Sequence, residues 1–251
     1  INPSHGIGPD FSQSGENGPS IFPNTSLGIR VLTTSGPWTF QAAVLDGVPG
    51  DPDHPDRSGI HLSADEGALL IAEVGHHTDS GARVAAGYWH YTAQFADLQL
   101  VDDTGEPMQR RGNAGVYVLA ESPMFLSRDT VRGLRLFART GYAEDNINPV
   151  RHYYGTGAVY TGWAARRPED QVGFAIAIAE PGGPFRESQQ LAGIATARRE
   201  INYELTYRCP VTDWLTLQSD LQYIRDPGMD PTLDSAWVVG IRFEVGRSWN
   251  W

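Results

Sequence analysis

Hydrophobic and polar residues alternate along most of this chain, and the alternation is clearest near its end. In residues 200–209, 214–224 and 235–245, apolar side chains take every second position, with charged or amide side chains between many of them. Such a period of two predicts a strand with one apolar and one polar face. Each segment has about ten residues, which suits a tilted bilayer crossing, whereas strands of soluble sheets have about five or six.

The same reading along the whole chain predicts eleven strands and their connections. The strands lie near residues 25–33, 38–46, 67–77, 82–92, 112–121, 132–142, 153–163, 171–180, 200–209, 214–224 and 235–245. Short turns alternate with longer loops, which include 47–66 and 93–111. Residues 1–24 are dense in Gly, Pro, Ser and Asn and are predicted to be a loop on the long-loop side.

This pattern predicts an all-β fold, an antiparallel transmembrane β-barrel of porin type with lipid outside and water inside. Tyr, Trp and Phe at the strand ends are the residues that settle at membrane interfaces. No apolar run approaches the length of a transmembrane helix, and the mean hydropathy is −0.34. A large soluble antiparallel barrel or sandwich remains the alternative.

We expect residues 1–251 to form a single outer-membrane β-barrel domain. Single-chain bacterial barrels usually have an even number of strands, and an open edge in lipid leaves backbone groups unpaired. Eleven strands therefore indicate an incomplete barrel that lacks its N-terminal strands.

Charge and cysteine content narrow the possible partners and chemistry. A net charge of −11 argues against nucleic acid. The single Cys209 cannot form an internal disulfide. The acidic loops are most simply solvated, and the alternative is that they bind divalent cations at a lipopolysaccharide surface. Outer-membrane lipid and lipopolysaccharide are the expected partners of the barrel, and no cofactor or metal is expected. No nucleophile elbow or triad spacing supports an outer-membrane phospholipase or protease, so no catalytic residue and no enzyme activity are predicted.

Alternation also indicates which polar residues face the water-filled interior. They share strands whose other face is apolar, as Arg30 does with Ile29 and Val31. The candidate pore-lining residues are Arg30, Glu73, Arg83, Trp89, Arg135, Arg139, Glu204, Arg208, Asp220, Gln222, Arg242 and Glu244. Trp89 belongs to this set if Arg83 points inward, and an interfacial position for Trp89 is the alternative.

The chain resembles the carbohydrate-selective porins of the OprB type over nearly all of its length. The matching stretches are Asp10–Pro23, Leu45–Pro52, Asp65–Glu73, Gly87–Thr92, Gly133–Arg139, Glu204–Tyr207 and Leu217–Gly228. The resemblance implies a sixteen-stranded barrel in the outer membrane of a Gram-negative bacterium, through which glucose and other small sugars diffuse. Monosaccharides and small oligosaccharides would be its solutes, and the barrel would be a monomer or a homotrimer.

A sugar channel needs weak, exchangeable hydrogen bonds and flat apolar surfaces rather than catalytic groups. Arg and carboxylate side chains supply the hydrogen bonds, and Trp89 is a candidate platform for the apolar face of a sugar ring. The alternatives are a general porin without sugar preference and an accessory chain bound to another membrane complex. The small side chains at residues 173–179 are expected to leave room for an inward-folded loop or for the sugar.

Overall fold

The eleven predicted strands are all present in one antiparallel sheet. The computed structural model describes residues 4–21, 24–50, 63–127 and 132–246. The strands are β1 (Gly28–Ser35), β2 (Trp38–Asp46), β3 (Ala68–His77), β4 (Arg83–Val101), β5 (Pro107–Leu126), β6 (Gly133–Ala143), β7 (Val150–Thr161), β8 (Gln171–Pro181), β9 (Glu200–Thr212), β10 (Leu215–Arg225) and β11 (Ala236–Val245). They follow one another in sequence order, so every neighbour is antiparallel and only β1 and β11 lie at edges in the described part of the chain.

The strand register assigns every residue to one of two faces. Directly opposed residues share a face, as Ile71, Trp89, Gly115 and Ala143 do across β3 to β6. We call the face with these residues the inner face, and the opposite one the outer face. All twelve candidate residues of the sequence analysis lie on the inner face, because the alternation that nominated them is the alternation of the pleat.

The outer face is apolar and unprotected by any other part of the described chain. Ile29 is 74% exposed, Val239 77% and Phe243 69%. An apolar surface that continues across a whole sheet is not stable in water and marks contact with lipid or another protein.

Residues 4–21, which we call the inner segment, correct the sequence-based expectation of a loop on the long-loop side. They contain two short helices, α1 (Ser4–Ile7) and α2 (Pro9–Ser12), and lie against the inner face. Phe11 packs into the core with Leu69, Trp89 and Tyr91. The prediction was wrong because Gly and Pro set local turns but carry no information about which surface the segment covers.

The connection between β4 and β5 is a second correction. Residues 93–111 were predicted to be a long loop, but both strands continue and only residues 102–106 connect them. Register shifts between Tyr91 and Gln94 and between Ala96 and Val101 interrupt the regular pairing here, and the Asp97–Arg110 ion pair and a hydrogen bond from Gln99 to Glu187 support the extension. β5 likewise continues to Leu126, past the strand end predicted at residue 121.

The long connection after β8 contains the helix α3 (Gly183–Leu191), and a 3-10 turn (Pro227–Met229) follows β10. Phe185 of α3 packs beside Val150, Ala179 and Met229, which ties these connections to the sheet end. No helix in the described ranges has the length and apolarity to cross a membrane. Most of the predicted loop 47–66 lies outside the described residues.

Candidate functional site

The centre of the inner face is covered by aromatic packing. The Phe11 ring stacks on the Trp89 indole with centroids 5.1 Å apart and an interplanar angle of 15°. Tyr91 meets Trp89 edge to face, and the Ser14 hydroxyl lies 3.5 Å from the Tyr91 hydroxyl. Trp89 is 0% exposed. Its inward orientation agrees with the sequence, but an open sugar platform at Trp89 is wrong, because Phe11 already occupies the face of the ring.

Asp10 holds the inner segment to the wall through Arg139. The Arg139 guanidinium donates to both carboxylate oxygens of Asp10, at 2.7 and 3.1 Å. The side chains are 3% and 0% exposed, and the guanidinium also lies over the rings of Tyr117 and Tyr153. A bidentate contact between arginine and a carboxylate is among the stronger polar contacts in proteins. Loss of either side chain would leave the other charge buried without a partner, which is strongly destabilising.

Gly141 makes the close approach of Asp10 possible. A Cβ atom at this position would stand 1.9 Å from the Asp10 Oδ2 atom. Gly141 lies two residues from Arg139 on the same face of β6. The local sequence Arg139-Thr-Gly141 therefore provides both the guanidinium that binds Asp10 and the space that the Asp10 carboxylate occupies.

His5 and Glu204 form a second buried contact nearer the start of the inner segment. The His5 Nε2 atom lies 2.9 Å from a carboxylate oxygen of Glu204, and both side chains are at most 3% exposed. Ala175 on β8 lies directly opposite Glu204 on β9 and, on its other side, directly opposite Gly157 on β7. These small residues leave space above the sheet, as the sequence suggested for residues 173–179, and His5 lies beside that space.

The inner face of β1 to β5 carries a continuous hydrogen-bonded network around Glu73. Arg30 donates to the Gln41 side-chain oxygen at 2.7 Å, and Gln41 donates to Glu73 at 2.8 Å. Glu73 also accepts hydrogen bonds from Arg83 at 2.7 Å and from the Tyr117 hydroxyl at 2.8 Å. The sequence predicted Arg30, Glu73 and Arg83 individually, and the structure joins them into one chain of contacts.

The inner face of β9 to β11 carries further polar pairs at the opposite edge. Arg208 contacts Glu244 at 3.0 Å, and Arg242 donates to Gln218 at 2.8 Å. Gln222 donates to Asp220 at 2.7 Å and accepts from Asn202 at 2.8 Å. Gln218 and Asn202 were not among the candidates, although both follow the alternation that nominated their neighbours.

The twelve candidates therefore divide into covered and open residues. Trp89, Arg139 and Glu204 lie under the inner segment and are buried. The Glu73 side chain is also nearly buried, at 7% exposed, but inside its own hydrogen-bonded network. The other eight stand where the inner face is not fully covered. The open set is Arg30, Arg83, Arg135, Arg208, Asp220, Gln222, Arg242 and Glu244.

The three residues that anchor the inner segment, His5, Asp10 and Phe11, were not among the sequence-based candidates. They lie outside any strand, so alternation could not find them. The only signal was that Asp10 and Phe11 begin one of the stretches shared with a known family. In the described ranges no group of three His, Cys, Asp or Glu side chains is arranged to hold a metal ion.

Comparisons with known proteins agree with this architecture. The family model for carbohydrate-selective porins of the OprB family matches residues 1–246. Porin B of Pseudomonas aeruginosa is 29% identical over 253 residues, which cover 89% of this chain and 55% of that protein. The chain thus spans about half the length of this relative.

Solved structures give the same result. The high-pH structure of Pseudomonas putida OprB matches with a TM-score of 0.76 and 25% identity, over 89% of this chain and 59% of that one. The low-pH structure of the same protein matches with a TM-score of 0.55 and 21% identity, over 87% and 54%. The family consists of outer-membrane channels of Gram-negative bacteria rather than enzymes. The match over residues 1–246 places this chain in the OprB family of carbohydrate-selective porins.

Proposed function

We propose that this protein allows passive diffusion of glucose and other small sugars across the outer membrane. The observation that carries the proposal is the division of one sheet into an apolar outer face and an inner face of paired charges and amides. A wall of this kind separates hydrocarbon from water. The resemblance to Porin B and to OprB supports a solute of the sugar class.

Aromatic rings at both ends of the outer face support a position in the bilayer. At the long-loop end Tyr223 packs between Tyr203 and Trp237, with centroids 6.4 and 4.8 Å away. At the short-turn end Phe125 packs against Tyr160, with centroids 5.9 Å apart. Amphipathic rings of this kind form belts at both membrane–water interfaces of outer-membrane barrels.

The charges of the open inner face suit a neutral, hydroxyl-rich solute. Arg83 is paired with Glu73, and Arg208 with Glu244, so the charges of these four side chains cancel in pairs. Guanidinium groups donate and carboxylates accept, which matches hydroxyl groups that do both. Because these groups already have protein partners, a sugar can exchange with them without binding tightly, as passage requires.

The inner segment determines where the open passage lies. It covers the inner face around Trp89, Arg139 and Glu204, in the middle strands of the sheet. The passage would therefore run beside the inner segment, along the polar networks near β1 to β4 and β9 to β11 and past the uncovered short-turn ends of β5 and β6.

We further propose that both edges of the sheet are paired in the membrane, so that this sheet is part of one closed barrel domain. β1 and β11 each present an unpaired row of backbone groups in the described part of the chain. In hydrocarbon each unsatisfied group costs several kcal/mol, which excludes an open edge. Strands that complete the barrel, from the same or another chain, would satisfy them.

Lipid headgroups, including those of lipopolysaccharide, are the proposed partners of the outer rim. On the long-loop end of the outer face Arg199 lies 3.5 Å from Glu180, and Arg225 lies 3.9 Å from Asp226. Both arginine side chains are about half exposed, at 47% and 53%. Arginine beside an aromatic belt is well placed to contact phosphate groups.

Conductance of the native channel in planar bilayers tests the proposed function. Stepwise addition of glucose or a disaccharide should lower the conductance in a saturable manner, whereas an unrelated polyol of equal size should lower it less. A channel that conducts but is indifferent to sugars would be a general porin. The absence of any conductance would favour an accessory role.

A further inference from the structure

A cavity of about 530 Å³ lies on the inner face at the short-turn end, next to the start of the inner segment. His5 borders it on one side, and Glu121, Arg135 and Phe137 line the wall. The sequence favoured Trp89 as the aromatic platform, and Phe137 was not among the candidates.

Arg135 differs from the other charged candidates of the inner face, and Glu121, which was not among the candidates, differs in the same way. Neither has an ion pair or hydrogen-bonding side-chain partner in the described ranges of the chain. Glu121 is directly opposite Phe137 across β5 and β6, and Arg135 is two residues further along β6 on the same face. The phenyl ring thus lies between a free carboxylate and a free guanidinium.

The Phe137 ring is held close to the wall. Gly157 is its partner on β7, and a Cβ atom there would stand 2.6 Å from the ring. The ring therefore occupies the space that the side chain of any larger residue at position 157 would take. His5 meets it edge on, with centroids 6.3 Å apart, so the ring position is fixed from a second side.

We propose that this cavity binds one neutral sugar ring during passage, with Phe137 as the platform and Arg135 and Glu121 as hydrogen-bonding partners. The apolar C–H face of a pyranose can lie on the phenyl ring, while its hydroxyls accept from the guanidinium and donate to the carboxylate. The opposite charges of Glu121 and Arg135 offset each other, so any charged sugar meets repulsion from one of them as well as attraction from the other, whereas a neutral sugar meets neither. The proposal rests on the proposed function, since the sugar must enter through the channel.

Half-blocking concentrations of glucose, measured by planar-bilayer conductance of the native channel, test the site. We expect Arg135→Gln and Phe137→Leu each to raise the half-blocking concentration about tenfold, which corresponds to about 1.4 kcal/mol. The matched control is Arg132→Gln, which removes the same charge three residues away. Arg132 donates to the Tyr160 hydroxyl, away from the cavity. Glucose should therefore block the Arg132→Gln channel at the same half-blocking concentration as the wild type.

The possible outcomes separate this inference from the proposed function. If glucose does not block the wild-type channel, the proposed function fails. If glucose blocks the wild type and both cavity variants equally, sugar passes but does not bind at Phe137, and the inference is overturned. A larger effect of glucuronate than of glucose would overturn the assignment to a neutral sugar.

Discussion

The contact between Asp10 and Arg139 should control how firmly the inner segment is seated, and Asp10→Ala tests it. The substitution leaves the Arg139 side chain, 3% exposed, without its carboxylate. Removal of one partner of a buried pair costs about 3–5 kcal/mol, since the remaining charge stays out of water. At about 1.4 kcal/mol per factor of ten, release of the segment becomes more favourable by roughly two to three and a half powers of ten.

Single-channel recording should detect this release. If residues 4–21 leave the wall, the inner face of the middle strands opens, and we expect Asp10→Ala to show a larger conductance or frequent transitions to a larger level. Glu16→Ala is the matched control, because it removes an exposed carboxylate from the same segment. Asp10→Leu with Arg139→Met should restore much of the wild-type behaviour, since no charge is then left buried and unpaired.

Unchanged conductance and an unchanged thermal unfolding midpoint in Asp10→Ala would refute this reasoning. It would mean that packing of Phe11 on Trp89 alone seats the segment. Such a stack contributes about 0.5–1.5 kcal/mol beyond its buried area, which is less than the expected loss. The double-variant comparison would then show no coupling between the two positions.

Two further predictions concern a glycine and a turn. Gly141→Ala should reproduce the larger conductance of Asp10→Ala, because the added Cβ atom would stand 1.9 Å from Asp10. The control Gly183→Ala, whose Cβ atom would have nothing within 4 Å, should conduct like the wild type. Equal conductance of both variants would contradict the proposed role of Gly141. Desolvation raises the pKa of Asp170, but hydrogen bonds, first from Arg167, outweigh it and hold this pKa below 3.8. The stability from this carboxylate is therefore present above about pH 3.8 and lost as the pH falls through the lower folded-state pKa. The unfolding midpoint of Asp170→Asn should lie below that of the wild type near neutral pH, with a gap that narrows in acid; a gap independent of pH would contradict the assignment.

Most of the sheet could be predicted from the sequence because the residue pattern of a membrane-spanning strand is determined within the strand itself. Its period of two is set by the pleat, and its polar and apolar faces are set by solvent on one side and lipid on the other. Arg30, Glu204 and Arg242 could each be assigned to the inner face from their immediate neighbours alone. The ends of β4 and β5 could not, because register shifts between Tyr91 and Gln94 and between Pro123 and Phe125 interrupt the period of two.

The sequence by itself thus determined the existence of the eleven strands, the face taken by most side chains in their regularly alternating parts, and the division into an apolar and a polar face. Only the tertiary structure decided which inner residues are open. Trp89 and Glu204 were as plausible pore-lining residues as Arg135, yet the inner segment covers them and leaves Arg135 free. The physical reason is that His5, Asp10 and Phe11 reach partners far away in the sequence, and such contacts follow from space and charge in the folded chain rather than from any local period.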